Sequence, residues 1–191
     1  MNKSKQFNPG KFVKDAFIMY LREVFRINAD NIGYQGLNNE KDAGIEISEQ
    51  YGFDRESVGD RPVILVARGD WTFGGESGNM IMDHRVQDNT RKYTSIINVP
   101  ITVFVGSRNG LEAEQLASIA ANMIVMDQRS LAEIEIHSIT KPLIGRENTV
   151  KELPDMVAIP INFVASIQTH WVAKRIPAER LNSIKQSLLG F

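Results

Sequence analysis

The chain contains no cysteine, so it forms no disulfide and no thiolate metal site, which suits a reducing compartment. It has no apolar signal core at its start and no uncharged apolar run of membrane-spanning length. Its formal net charge is −1, so no overall field would hold nucleic acid or a membrane surface. We therefore expect a soluble protein that is made in the cytoplasm and has no membrane partner.

The motifs of common catalytic sites are missing as well. The three histidines, His84, His137 and His170, do not have the spacing of metal ligands. The glycines within residues 74–78 lack the following Lys-Ser or Lys-Thr of a phosphate loop, and there is no Gly-x-Ser-x-Gly element. We predict no catalytic site, no metal and no cofactor.

What the chain does have is an uneven distribution of charge. Four lysines precede the first acid, Asp15, and residues 174–185 carry four bases against one acid. Residues 40–60 carry seven acids against two bases. Two interpretations are open, a solvated surface or opposite patches that meet head to tail between copies.

One unusual pattern occurs twice. Residues 99–105 read Val-Pro-Ile-Thr-Val-Phe-Val, and residues 159–165 read Ile-Pro-Ile-Asn-Phe-Val-Ala. Proline in a strand is tolerated near its start, at a bulge or on an edge, because its ring removes a ladder donor. We predict that these runs are partner strands of one sheet, each bent or left unpaired at one end.

Hydrophobic periodicity places the other elements. Helices are predicted at residues 12–27, from residue 111 to 126, and in a short C-terminal piece at 177–191. Strands are predicted at residues 45–47, 63–67, 93–105, 134–138 and 156–171. In the first helix the successive turns are marked by Phe12, Ala16, Met19 or Tyr20, Glu23 and Ile27, and Val13, Phe17, Leu21, Val24 and Phe25 widen the apolar face.

These elements define a fold class. At 191 residues and 42% hydrophobic composition, the chain is long enough for one domain with a proper core. Strands joined by hairpin-like segments imply an antiparallel or mixed sheet with helices packed on one face. We predict a single α+β domain over residues 1–191.

Two long polar segments, 69–92 and 141–155, are predicted as extended arms that lead into the long strands. Trp71 and Phe73 enter the first arm and either anchor an interface or cover this domain's own core. The candidate residues for an interface between subunits or with partners are Trp71, Phe73, Arg85, Arg91, Lys92, Arg146, Trp171, Arg175 and Phe191.

The order of elements resembles the tail terminator proteins of long-tailed bacteriophages. Members of that family begin with a helix like residues 12–27, followed by a strand like 62–67 and a long strand like 93–105. A helix with an acidic start, like 111–126, comes next, and a final long strand like 156–171 comes later. The resemblance covers most of the chain in element order.

The resemblance implies a structural protein of the virion tail and neck, assembled in the host cytoplasm. Such a protein closes into a ring, as a homohexamer, on the tail tube, stops tube polymerisation and meets the connector or stopper proteins of the head neck. DNA would only pass through its lumen. The alternatives are another neck component (a head-completion, stopper or tail-completion protein), a small cytoplasmic enzyme around Asp83, His84 and Arg85, or a DNA-binding module.

Overall fold

The computed structural model describes residues 7–28, 44–50, 61–74, 81–85, 90–150 and 153–174. Within these ranges the helices are α1 (Pro9–Ile27), α2 (Gly110–Met126) and α3 (Gln128–Glu133). The strands are β1 (Glu46–Glu49), β2 (Val63–Arg68), β3 (Thr72–Phe73), β4 (Ile81–Arg85), β5 (Thr90–Ser107), β6 (Ile136–Ile139), β7 (Leu143–Ile144), β8 (Asn148–Val150) and β9 (Leu153–Lys174).

Helix α1 begins at Pro9, three residues before the predicted residue 12. The Asn8 side chain accepts a hydrogen bond from the Lys11 backbone N–H at 3.0 Å, and Pro9 occupies the first turn, where its missing N–H costs little. The face buried in the core comprises Val13, Phe17, Tyr20, Leu21 and Phe25. In the other predicted stripe, Phe12 and Ala16 pack half-buried against the core, whereas Met19, at 71%, and Ile27 are exposed.

The strands form one mixed sheet in the order β1-β2-β5-β9-β6. Strands β3 and β4 also pair with β5, and β7 and β8 also pair with β9. Strand β1 is parallel to β2, whereas β2 is antiparallel to β5 and β6 is antiparallel to β9. The α+β class with a mixed sheet is confirmed, and so is the prediction that the two proline-led strands are neighbours.

The central strands separate two faces. The odd-numbered residues of β5 from Ile97 to Val105 are buried in the main core, as their alternation predicts. The same core takes residues 159, 161, 163, 165 and 167 of β9. The same alternation predicts that Val157 is buried in this core, but Val157 is only half-buried, and its neighbours Met156 and Ala158 join a smaller buried cluster with Val63 and Leu65.

All described helices pack on the main-core face. The Phe17 ring on α1 lies 4.9 Å from the Phe163 ring on β9, centroid to centroid. The Tyr20 hydroxyl donates to the Met123 carbonyl of α2 at 2.9 Å, which links the two long helices. The smaller cluster contains no residue of these helices. Helices on one face of the sheet are thus confirmed for the described residues.

The two prolines occupy equivalent places. The Pro100 carbonyl accepts from the Gly69 N–H at 2.9 Å, and the Pro160 carbonyl accepts from the Gly145 N–H at 2.7 Å. In an antiparallel ladder the N–H and C=O of a residue face the same neighbour, so the missing donor of each proline faces away from the β5–β9 seam. Each proline therefore ends the ladder with an outer strand and leaves the central pairing intact.

A local two-fold relationship follows from this arrangement. The Thr102 hydroxyl donates to Asn162 Oδ1 at 2.8 Å, and the Ser166 hydroxyl donates to Asn98 Oδ1 at 2.8 Å. From the first pair to the second, the residue number decreases in β5 and increases in β9, so the two strands run antiparallel. Thr102 and Asn162, which are 60 positions apart, are equivalent members of the repeated motif and lie opposite each other. The repeat thus packs against itself.

The region after α2 differs from the prediction. A six-residue helix, α3, precedes the strand, which covers 136–139 instead of 134–138. Glu135 has a positive φ of 68°, a turn conformation that separates α3 from β6. The segment 141–155, predicted as an irregular arm, contributes β7, β8 and the start of β9. Segments β7 and β8 adopt strand conformation because they pair with β9, and their local sequence alone does not predict it.

The chain divides into two compact units. The first comprises residues 1–72 and 97–167 and holds the helices and the core, and the second comprises residues 73–96 and 168–191. In the second unit, β4 pairs with residues 90–94 of β5, with Asp83 opposite Lys92. The first arm thus contributes a β-hairpin. One domain over the whole chain stays a prediction, and the predicted helix at 177–191 lies outside the described residues.

Candidate interaction surfaces

The first surface feature is the protected edge of the sheet at β1. The Glu46 and Gln50 N–H groups bond to β2, so the Ile47 carbonyl belongs to the alternate set that faces away from β2. Arg22 on α1 donates to this carbonyl from Nε at 2.9 Å and from Nη2 at 2.6 Å. A salt bridge between Lys14 and Glu49 ties the same helix to the strand. Capping an edge in this way disfavours pairing with another strand.

The second feature is an open groove of about 710 Å³ between α1 and the end of α3. Its apolar floor is formed by Phe12, Ala16, Met19 and Tyr20 of α1 and by Ile134. Three of the α1 residues belong to the stripe that the sequence assigns to the core. The helix is therefore apolar on two neighbouring stripes. One stripe is buried in the main core, and in the other Phe12 and Ala16 pack half-buried against that core while Met19 is exposed.

Acidic side chains rim this groove. The lining carboxylates are those of Asp15, Glu23, Glu133 and Glu135. Three of them have cationic neighbours on their own helix, in the pairs Lys11–Asp15 at 3.7 Å, Arg26–Glu23 and Arg129–Glu133 at 3.9 Å. The Arg26 guanidinium, through its hydrogen bond and its charge, lowers the pKa of Glu23, which keeps this rim carboxylate charged.

One buried titratable group lies beside the groove. Burial, and to a smaller degree the Asp127 carboxylate, raises the pKa of Tyr20 well above its usual range. Its hydroxyl is used in the bond to the Met123 carbonyl. Tyr20 is thus a neutral structural link between α1 and α2 at physiological pH.

The aromatic residues predicted as anchors are accessible. Trp71, in the first unit, is 38% exposed, and Phe73, in the second unit, is 53% exposed. Neither belongs to the clusters of buried residues. An interface role for them stays a prediction.

Three predicted cations lie on strand backbones of the hairpin. Arg85 is opposite Thr90, Arg91 is opposite His84, and Lys92 is opposite Asp83. Asp83 and His84 occupy successive positions of β4, and successive positions belong to opposite faces of a strand. The backbone therefore gives no support to an acid–base pair at these two residues.

The other predicted interface residues lie later in the chain. Arg146 is exposed in the connection between β7 and β8, and Trp171 lies near the end of β9. Arg175 and Phe191 lie outside the described residues. Arg146 belongs to the first unit and Trp171 to the second, and a shared interface for the nine candidates stays a prediction.

The described part of the chain contains no group of three or more His, Cys, Asp or Glu side chains that could hold a metal ion. None of its helices is long and apolar enough to cross a membrane. The groove residues Met19, Ser130 and Ile134 are absent from the sequence-derived candidates. The sequence indicates that either Met19 or Tyr20 occupies one position of the apolar stripe of α1. Only the packing of the helix shows which of the two faces outward.

Comparison with known proteins adds little. No protein-family model and no curated protein matches the sequence. A chain in the "Virion of native gene transfer agent (GTA) particle" matches 64% of this chain and 78% of its own length, with 10% identity and a TM-score of 0.27. At that TM-score the two folds differ too much for the likeness to bear on function.

Proposed function

We propose that this chain is a structural, non-enzymatic protein of the virion, a tail terminator. In this role it forms a ring, as a homohexamer, that caps the tail tube, stops tube polymerisation and joins the tail to the neck proteins of the head. The observation that carries the proposal is the order of elements around β5 and β9. Helix α1, strand β2, strand β5, helix α2 and strand β9 follow one another as in the family that the sequence resembles.

The exposed apolar surface supports a role in assembly. Met126 is 84% exposed and Met19 is 71% exposed, both on the helical layer, and Leu143 and Ile144 are exposed on β7. Clusters of accessible apolar side chains mark surfaces that bind other proteins. Ring closure requires two different surfaces on each subunit that meet head to tail. The helical layer and the β7 strand are separate candidates for such surfaces.

The chemistry of the groove also favours assembly over catalysis. It is open, its floor is apolar, and three of its four carboxylates have cationic partners within their own helices. A catalytic acid or base needs a perturbed environment that poises its pKa near the working pH. The Arg26 guanidinium lowers the pKa of Glu23, which is the opposite of what a general acid at neutral pH requires.

A tube-capping assay tests the specific function. The purified chain is added to the tail tube protein of the same virion during polymerisation, and tube lengths are measured by electron microscopy. We expect shorter tubes that carry a ring at one end. We expect Phe73→Ala, in the first arm, to weaken capping, whereas Ser138→Ala, at an exposed position of β6, leaves it intact.

Unchanged tube lengths and bare tube ends would contradict the tail terminator role. Binding to the head connector in place of the tube would instead identify a stopper or completion protein. An equal effect of the two substitutions would remove the first arm from the interface.

A further inference from the structure

We propose that residues 175–191 of a second copy of this chain dock in the groove between α1 and α3. The proposal rests on the proposed ring only for the identity of the neighbour as a second copy. It starts from the second apolar stripe of α1, where the half-buried Phe12 and Ala16 and the exposed Met19 recur at the spacing of one helix face. The core does not cover Met19, so the groove offers apolar surface to a binding partner.

The groove has the dimensions of a helix site. It extends along α1 from Phe12 to Glu23, which at about 1.5 Å per residue is roughly 17 Å. Ile134 and Ser130 form the opposite wall. An amphipathic helix that lies in such a groove inserts side chains at i, i+3 or i+4, and i+7.

Residues 175–191 have that pattern. Leu181, Ile184 and Leu188 recur at intervals of three and four residues, which predicts one apolar face. The segment lies outside the described residues, so its helical form is a prediction from sequence. Its cations Arg175, Arg180 and Lys185 exceed its single acid, Glu179.

Charge complementarity selects this occupant. Among the described residues, all four charged side chains that line the groove are carboxylates, namely Asp15, Glu23, Glu133 and Glu135. Their neighbours Lys11, Arg26 and Arg129 form exposed pairs, and exposed pairs contribute little to stability, so these cations can yield to a docking segment. Glu135 has no ion pair among the salt bridges of the described residues. A basic segment with an apolar face therefore fits both the rim and the floor.

The contact is heterologous, because the groove and the segment are different surfaces. Contacts of this kind are the ones that close a ring. Each subunit would give its segment to one neighbour and receive the segment of the other. This is the head-to-tail arrangement that the uneven charge of the chain permits.

Cysteine cross-linking tests the proposal directly, because the natural chain has no cysteine to interfere. One preparation carries Met19→Cys in the groove, and another carries Ile184→Cys in the segment. Mixing the two full-length variants under mild oxidation should give a linked species at twice the chain mass of 21.5 kDa. Leu111→Cys, at an exposed apolar position of α2 that does not line the groove, serves as the matched control.

Each outcome decides the matter. Efficient linkage of Ile184→Cys to Met19→Cys but not to Leu111→Cys supports the proposal. No preferential linkage overturns it. A Met19→Cys/Ile184→Cys double variant that links only within single chains would assign the groove to the chain's own segment and overturn the claim of a second copy.

Charge reversal provides a second readout that does not depend on cysteine. Glu133→Lys alone and Lys185→Glu alone should each lower the fraction of oligomer by several-fold in native mass spectrometry. The combination should restore it, since the opposite charges again meet. Rings that form normally without this linkage would contradict the docking proposal and leave the proposed function unaffected. Linkage without closed rings would support the docking proposal and contradict the proposed function.

Discussion

The Pro160 ring lies directly against Gly145: its Cγ atom is 2.7 Å from the position that a Cβ atom on Gly145 would occupy. The Gly145 N–H also donates to the Pro160 carbonyl at 2.7 Å. A side chain at residue 145 therefore meets a rigid ring that the hydrogen bond holds in place.

Gly145→Ala should lower the free energy of unfolding by about 1–3 kcal/mol, the usual cost of overpacking. Gly69→Ala is the matched control, because its Cβ would be 3.3 Å from Pro100 Cβ and needs only a small shift. There, the reduced entropy of the unfolded chain, about 0.4–1 kcal/mol, should offset much of the contact cost. Urea unfolding of both variants measures the difference.

A double variant isolates the cause. Pro160→Ala removes the obstructing ring atoms, so Gly145→Ala should cost less in that background than in the natural chain. An equal cost in both backgrounds would show that the ring is not responsible.

Arg22→Met should loosen the β1 edge. It removes both hydrogen bonds to the Ile47 carbonyl while keeping most of the apolar stem. We expect a loss of about 1–3 kcal/mol, because Ile47 is buried and its carbonyl loses the guanidinium that satisfies it. Hydrogen exchange at the Glu46 and Gln50 N–H groups should speed up, because these groups hold β1 to β2.

Arg26→Met is the control for this edge. Arg26 pairs with Glu23 on the outer surface of α1, so its loss should leave exchange in β1 unchanged. Equal exchange rates in Arg22→Met and the natural chain would show that the edge is held by other contacts.

Tyr20 should make stability depend on alkaline pH. Its pKa is raised in the folded chain, so the folded state keeps a proton that the unfolded chain loses near pH 10. The stabilisation of the folded state that depends on protonated Tyr20 is fully present below about pH 10, and it is lost as the pH rises above that value. Tyr20→Phe should cost about 1 kcal/mol at neutral pH, where it loses the bond to Met123, and should flatten the alkaline decline.

Urea unfolding at several values between about pH 8 and pH 11 checks this slope. Other tyrosines and lysines also titrate there, so the informative quantity is the difference between the natural chain and Tyr20→Phe. A difference that stays constant across the range would contradict the shifted pKa.

The central strands were predictable because local pattern and tertiary role agree there. Alternation from Ile97 to Val105 places one set of side chains in the core, and proline at 100 and 160 marks where outer pairing stops. The equivalence of Thr102 and Asn162 across the seam could not be predicted, because it depends on the pairing register.

Other features depend on contacts that sequence does not contain. Strands β7 and β8 are two and three residues long, so their conformation depends on pairing with β9. Met19 and Tyr20 are adjacent apolar residues, and only the position of α2 determines which of them is buried. The groove exists because Met19 is the exposed residue of the two. Its residues are therefore missing from the interface candidates that the sequence predicts.

We propose above all that copies of this chain assemble into a closed ring. Native mass spectrometry of the purified full chain at micromolar concentration, with electron microscopy of the same sample, tests this assembly. We expect a single species at an integer multiple of 21.5 kDa, six copies in the form that the resemblance implies, seen as a ring. Monomers alone at every concentration, with or without the tail tube protein, would contradict it.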